Sequence, residues 1–236
     1  MDLQAIAQAA SVWILPVLFA ITLHEAAHGW VANKLGDDTA YRLGRVTFNP
    51  LRHIDPFGTV LLPALLIIAG APFLFGWAKP VPVNFNRLHR PKFDMVWVAA
   101  AGPGINLALA LLSALVLSVL GLPPPRQEGD WLQQNLINSL RINVVLAVFN
   151  MLPLPPLDGG RVAVGLLPPG PSLALASLER YGMMIIIMAM FVLPMLGDSL
   201  GIRLDILGWL IGEPVRFLLR AILWVTGLLG DRSALE

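Results

Sequence analysis

The sequence predicts an all-α polytopic membrane protein with five to six transmembrane helices, a re-entrant hairpin and a small β element near its site. Three observations carry that fold class. Of 236 residues, 56% are hydrophobic and 13% charged, with a mean hydropathy of +0.72, whereas a soluble domain carries about 25% charged residues. Apolar runs recur at 9–33, 57–77, 93–121, 135–153, 182–197 and 203–229, close to the ~20 residues that one bilayer crossing needs. Pro and Gly cluster at 121–125, 153–160 and 168–171, where helices must stop or break. The expectation is one membrane-embedded domain over 1–236, without an extramembrane domain of ordinary size. A net charge of +1 gives no reason to invoke nucleic acid. The absence of Cys excludes disulfides, thiolate metal sites and cysteine nucleophiles.

The start, MDLQAIAQAASVW, lacks the basic residues of a secretory signal, so the first run is expected to remain as an uncleaved helix. It ends in ITLHEAAHGWV, where His24, Glu25 and His28 put three ionisable groups at membrane depth. A charged residue there costs about 2.5–3.5 kcal/mol on insertion scales and needs a partner to offset it. Residues four apart share one helix face, so both imidazoles can reach one ion. Zinc with a Glu beside it is the expected use of H-E-x-x-H.

The loop 34–56 carries Lys34, Arg42, Arg45 and Arg52, and the loop 77–92 carries Lys79, Arg87, Arg90 and Lys92. By the positive-inside rule both belong in the cytoplasm, which a single crossing by 57–77 would forbid. That run is interrupted by Pro63 and by Gly70-Ala71-Pro72, so it is expected to be a re-entrant hairpin. Irregular backbone at that depth must pack on protein or face a wet cavity. Counting crossings then places the N-terminus outside. The runs 9–33, 135–153 and 203–229 go inward and 93–121 and 182–197 go outward, leaving the C-terminus, with Arg232, inside. The external loops 122–134 and 198–202 carry few basic residues, as this topology requires. The stretch 172–181, with Glu179 and Arg180, reads as an interfacial lead-in to the fifth run.

A catalytic zinc takes three protein ligands and keeps one position open. His53 and His89 lie in the basic loops and read as structural or solvated. Asp158, in FNMLPLPPLDGGRV, is the better third ligand. Pro153, Pro155 and Pro156 stop the helix before it, Gly159-Gly160 free the backbone after it, and an acid on broken helix at membrane depth is functional by default. In the re-entrant topology His24, His28 and Asp158 all come late in inward segments, at one depth toward the cytoplasmic side.

Taken together, HEAAHGW at 24–30, NPLRHIDPFGT at 49–59, FGWAKPVPVN at 75–84, AAAGPGINLALA at 99–110 and FNMLPLPPLDGGRV at 149–162 resemble the site-2 protease family of intramembrane zinc metallopeptidases. The likeness is to its compact bacterial branch without a PDZ domain. It covers residues 24–162 in the family's order and does not explain the C-terminal helices, 172–229. It implies that His24, His28 and Asp158 are ligands of one Zn2+ per chain and that Glu25 is the general base. Asn150 matches the asparagine preceding the ligand aspartate, and Asn106 the last position of G-P-x-x-N. Where the family often has Asn-Pro before Asp-Gly, this chain has Pro156-Leu157. The resemblance further implies transmembrane protein substrates cut within a bilayer, a multi-pass protein of the bacterial inner membrane, and a site on the cytoplasmic side.

Zinc would make water nucleophilic and polarise the carbonyl, with Glu25 moving the proton. Asn150 and Asn106 are expected as amide donors to a substrate oxyanion or backbone, and Asn143 as a packing residue. Because a substrate helix exposes no peptide carbonyls, its scissile segment must unwind. Residues 39–48 and 81–85 are expected to form strands whose edge captures it by strand addition. The competing readings are a membrane metal-ion transporter, which would add acids along a path or inverted repeats, and an inactive scaffold. Oligomeric state is not legible in the sequence.

Overall fold

A computed structural model of the chain describes residues 3–68, 76–122, 130–202 and 204–229. The break at Gly70-Ala71-Pro72, Phe75, most of the 122–134 loop and Arg232 lie outside the described residues. The described fold is built from helices: α1 (Leu3–Lys34), α2 (Thr39–Arg42), α3 (Leu62–Ile68), α4 (Pro91–Val119), α5 (Trp131–Asn150), α6 (Asp158–Leu166), α7 (Pro169–Ser177), α8 (Glu179–Ile187), α9 (Leu193–Ser199) and α10 (Ile206–Val225). A π-helical stretch, Met188–Val192, joins α8 to α9.

α4 is the central helix. It packs against α1, α5 and α6, and more lightly against α10. Most of its buried positions are small or polar, among them Ala99, Gly102, Asn106, Ala110, Ser113 and Ala114; α1 likewise buries Ala20, Ala26 and Ala32. Bulky apolar residues such as Phe19, Trp30, Trp97, Leu112 and Val119 face outward instead. Small-inside, large-outside packing is what helices do in lipid, where apolar burial between them gains little and close backbone approach gains dispersion contacts. One larger core joins α4, α5 and α10 through Ala110, Ala114, Leu140, Val144, Val148 and Leu223.

Among the described residues, three helical segments are long and apolar enough to cross a membrane: Ala10–Lys34, Pro91–Val119 and Glu179–Ser199. The expected runs 135–153 and 203–229 fall on α5 and α10, each of 20 residues. α5 is interrupted by polar residues, and it buries Gln133, Asn138 and Asn143 against its neighbours. α10 carries Glu213, Arg216 and Arg220. Length alone does not make either an apolar span.

The run 57–77 enters as a π-helical turn, Pro56–Leu61, capped by the Asp55 carboxylate, which accepts from the Phe57 and Gly58 N–H groups. The apolar helical stretch Pro56–Leu66 is about 17 Å long at 1.5 Å per residue, roughly half a bilayer core. At 77–79 the chain lies against the residues where this run begins. Trp77 N–H donates to Gly58 O (3.1 Å), Thr59 Oγ1 to Trp77 O (2.8 Å) and Lys79 N–H to His53 O (2.9 Å). Gly58 is required at this closure, because a side chain there would lie inside the Trp77 ring.

No strand forms among the described residues, and both strand expectations fail because other bonds claim the backbone. In 39–48, Thr39–Arg42 makes a helical turn, organised by Asp37, whose buried carboxylate accepts from the Thr39 N–H and hydroxyl. Over 81–85, backbone donors turn to side chains: Val81 N–H goes to Glu25 and Asn84 N–H to Asp37 Oδ2 (2.6 Å). Pro82 has no N–H to offer. Burial raises the Asp37 pKa, but the hydrogen bonds from Thr39 and Asn84 together with Arg87 outweigh it and hold the carboxyl below its usual range.

Candidate metal centre

The late turns of α1 bring His24 and His28 together by the i, i+4 spacing alone, ring centroids 4.7 Å apart and edge-on. Each ring is then held from behind by α4. His24 Nδ1 lies 2.5 Å from Asn106 Oδ1, and His28 Nδ1 lies 2.7 Å from the Val98 carbonyl. The Asn106 amide is oriented by its own Nδ2, which donates to Ala20 O and to Asn143 Oδ1. Both partners of the imidazoles therefore accept, so in the neutral rings Nδ1 carries the proton and Nε2 the free lone pair.

Those lone pairs converge on Asp158. Its Oδ2 lies 3.1 Å from His24 Nε2 and 3.4 Å from His28 Nε2, and it is buried without a hydrogen-bond donor. The three residues are each 9% exposed or less, and their ligand atoms lie within 4.8 Å of one another. Three buried electron-pair donors facing one another without a proton repel unless a cation lies between them. A tetrahedral zinc with bonds of about 2.0–2.2 Å separates its ligand atoms by about 3.3 Å. The donor set fits zinc in chemistry and in spacing.

Asp158 reaches this point because the chain after α5 turns sharply through 151–157 before α6 starts at Asp158. Gly159 and Gly160 lie against the Met151 and Pro155 backbones, where a Cβ has no room. Gly102 does the equivalent on α4: a methyl there would sit 2.5 Å from His28 Nε2 and 2.6 Å from His24 Nε2. Pro103 follows it, removing one helical hydrogen bond in the turn beside the histidines.

Glu25, half-buried, accepts the Val81 N–H on Oε2 at 2.7 Å. It borders a cavity of about 190 Å³ lined also by His24, Trp77, Phe149, Asn150 and Ile186. Asn150 reaches the cavity with its Nδ2 donating to Leu146 O (3.0 Å). Asn106 does not reach it. This residue is fully buried, both its amide donors are engaged and its oxygen lies against His24 Nδ1, a bond that orients the imidazole. Asn143, expected only to pack, extends that network to the Ser139 carbonyl and hydroxyl. His53 is buried and structural, its Nε2 3.2 Å from Thr47 O; burial lowers its pKa and keeps it neutral.

Sequence reasoning missed Gly102, Arg45 and Val81. A glycine before a proline inside a 29-residue apolar helix was the available signal for the first. Val81 stood out only by lying between two prolines, and Arg45 counted only toward the charge of a loop.

Three comparisons bear on this geometry. A relative in Bacillus subtilis bearing the name "Putative zinc metalloprotease YwhC" is 40% identical over 185 residues, covering 77% of this chain and 80% of its own. Rip2 of Mycolicibacterium smegmatis, with the same description, is 29% identical over 174 residues, covering 72% of this chain and 62% of its own. MJ0611 of Methanocaldococcus jannaschii, again so described, is 30% identical over 139 residues, 59% of this chain and 62% of its own. No family model and no solved structure matches.

Proposed function

The chain belongs to the site-2 protease-like family that these relatives represent, and from that premise we propose that it is a zinc-dependent endopeptidase of membrane-spanning substrates. The observation that carries the reading is the meeting of two imidazole Nε2 atoms and a buried carboxylate oxygen one residue from a glutamate that borders a cavity. His24, His28 and Asp158 hold one Zn2+ per chain. When bound, zinc supplies Lewis acidity, making water nucleophilic near neutral pH and polarising a carbonyl.

The chain's own residues do the rest. Glu25 takes the proton of the attacking water on Oε1, its Oε2 being occupied by Val81 N–H, and passes it to the departing amine nitrogen. Asn150 keeps one amide hydrogen after its bond to Leu146 and turns it to the substrate carbonyl oxygen as negative charge grows there. Asn106 and Val98 keep both ligand imidazoles in the tautomer that exposes Nε2. The apolar walls given by Phe149, Ile186 and Trp77 exclude bulk water.

The protein works as one unit over 1–236 in the bacterial inner membrane, in contact with lipid and with transmembrane protein substrates. Meeting of Gly58 with Trp77 at the base of the 57–77 segment supports re-entry rather than crossing, and with it a site toward the cytoplasmic side. The small residues buried between helices, with large apolar ones outside, support a multi-pass bundle.

Glu25→Gln tests the reading. The variant is expected to retain zinc, because none of the three ligand atoms is touched, and to lose cleavage of a model single-span substrate. Unchanged turnover would end the proteolytic mechanism.

A further inference from the structure

The segment 77–81 is irregular, yet most backbone polar groups in it have a partner. Trp77 is held at both N–H and C=O by Gly58 and Thr59, and Lys79 N–H by the His53 carbonyl. Lys79 O and Pro80 O both accept from one guanidinium nitrogen, Arg45 Nη2, at 2.8 and 3.4 Å. Lys79 and Val81 each precede a proline, which confines both to extended backbone, and the prolines themselves fix φ at 80 and 82. Little freedom remains in the Val81 N–H, and it points at Glu25 Oε2.

Arg45 is the unusual member of this arrangement. It is 8% exposed, and its Nε is buried with no acceptor. A buried cation with an unmet donor is unfavourable, and an apolar residue at this loop position would avoid it. The loop carrying it is packed deliberately close. A Cβ on Gly29, one turn beyond Glu25, would press on Val46 Cγ2, Ala40 Cβ and Val81 Cγ1 at 2.9–3.1 Å.

We propose that Arg45 is a positioning residue for Glu25: its guanidinium ties down the Lys79 and Pro80 carbonyls, so that Val81 N–H holds the Glu25 carboxylate in one rotamer, with the other oxygen toward the cavity. The inference rests on the reading of Glu25 as the base. Arg suits the task because its charge is permanent and the two N–H donors of Nη2, held in the guanidinium plane, serve one carbonyl each.

The test uses the full chain in nanodiscs, loaded with zinc, acting on a model single-span substrate. Arg45→Ala is expected to lower kcat about tenfold to a hundredfold, the effect of a misplaced catalytic group. It should leave KM and zinc content unchanged, and millimolar guanidinium should restore part of the rate. Arg45→Lys should fall between the two. Val81→Pro, which deletes the N–H without touching Arg45, should show the same kcat loss with no guanidinium rescue, and it serves alone if Arg45→Ala does not fold. Wild-type kcat in either variant overturns the proposal, as does a loss carried by KM or by zinc content. Glu25→Gln, assayed alongside, separates the two claims. An active Glu25→Gln removes the base, whereas an inactive Glu25→Gln beside a fully active Arg45→Ala removes only the positioning role.

Discussion

Replacing Gly102 with Ala adds a single methyl to the most crowded point of the proposed metal centre. Built on the α4 backbone, that methyl falls 2.5 Å from His28 Nε2 and 2.6 Å from His24 Nε2, about 1 Å inside ordinary contact. α4 cannot retreat, because Val98, Ala99, Asn106 and Ala110 on either side are buried against α1 and α5. The imidazoles must turn instead, and turning strains the bonds from His24 Nδ1 to Asn106 and from His28 Nδ1 to Val98. Metal–ligand distances tolerate about 0.2 Å, so a displacement of this size is expected to reduce zinc affinity by more than the 10–100-fold typical of losing an outer-shell partner. Stability should fall by a comparable or smaller amount. Overpacking costs about 1–3 kcal/mol, and the gain of Ala over Gly in a helix interior offsets up to ~1 kcal/mol. Gly104→Ala is the matched control: it lies on the same helix and its added methyl meets nothing within 4 Å. The assay is zinc content and chelator competition on purified protein, with thermal unfolding in parallel. Gly102→Ala retaining one zinc per chain at wild-type affinity would refute the convergence of the two Nε2 atoms on one ion.

Asn106→Leu should weaken zinc 10–100-fold by releasing His24, read by the same competition. Unaltered zinc affinity with a kcat loss of a hundredfold or more would return Asn106 to the oxyanion role. A reporter fused after Arg90 is expected to read out on the cytoplasmic side, and an external signal would refute re-entry of the 57–77 segment.

What the residues alone could tell was local in origin. The pairing of His24 with His28 follows from 3.6 residues per turn and needs no tertiary context. The end of α5 before Pro153, the extended course of Lys79 and Val81, and the α4 helix beginning at Pro91 are likewise dictated within a few positions. Asp158 was reachable one step further, because hydrophobic depth along the chain put it level with the histidines. Depth gives no lateral position, however, and only the packing of α6 against α4 brings its Oδ2 within 3.4 Å of both rings. What the sequence leaves open shares that cause. Asn106 in sequence is an amide at membrane depth; whether it meets a substrate or a histidine depends on which way α4 is rotated about its axis. Residues 81–85 have the alternation of a strand, but Glu25 and Asp37, some 50 positions upstream, claim the N–H groups a ladder would use. α5 appears as an apolar run, yet its polar side chains are tolerable only because α1 and α4 cover them. The sequence by itself determined which chemistry is present and on which turn of which helix, since backbone geometry repeats within a few residues. The tertiary structure decided which of those groups touch, since contact at 3 Å between distant segments depends on every small residue that lets two backbones approach.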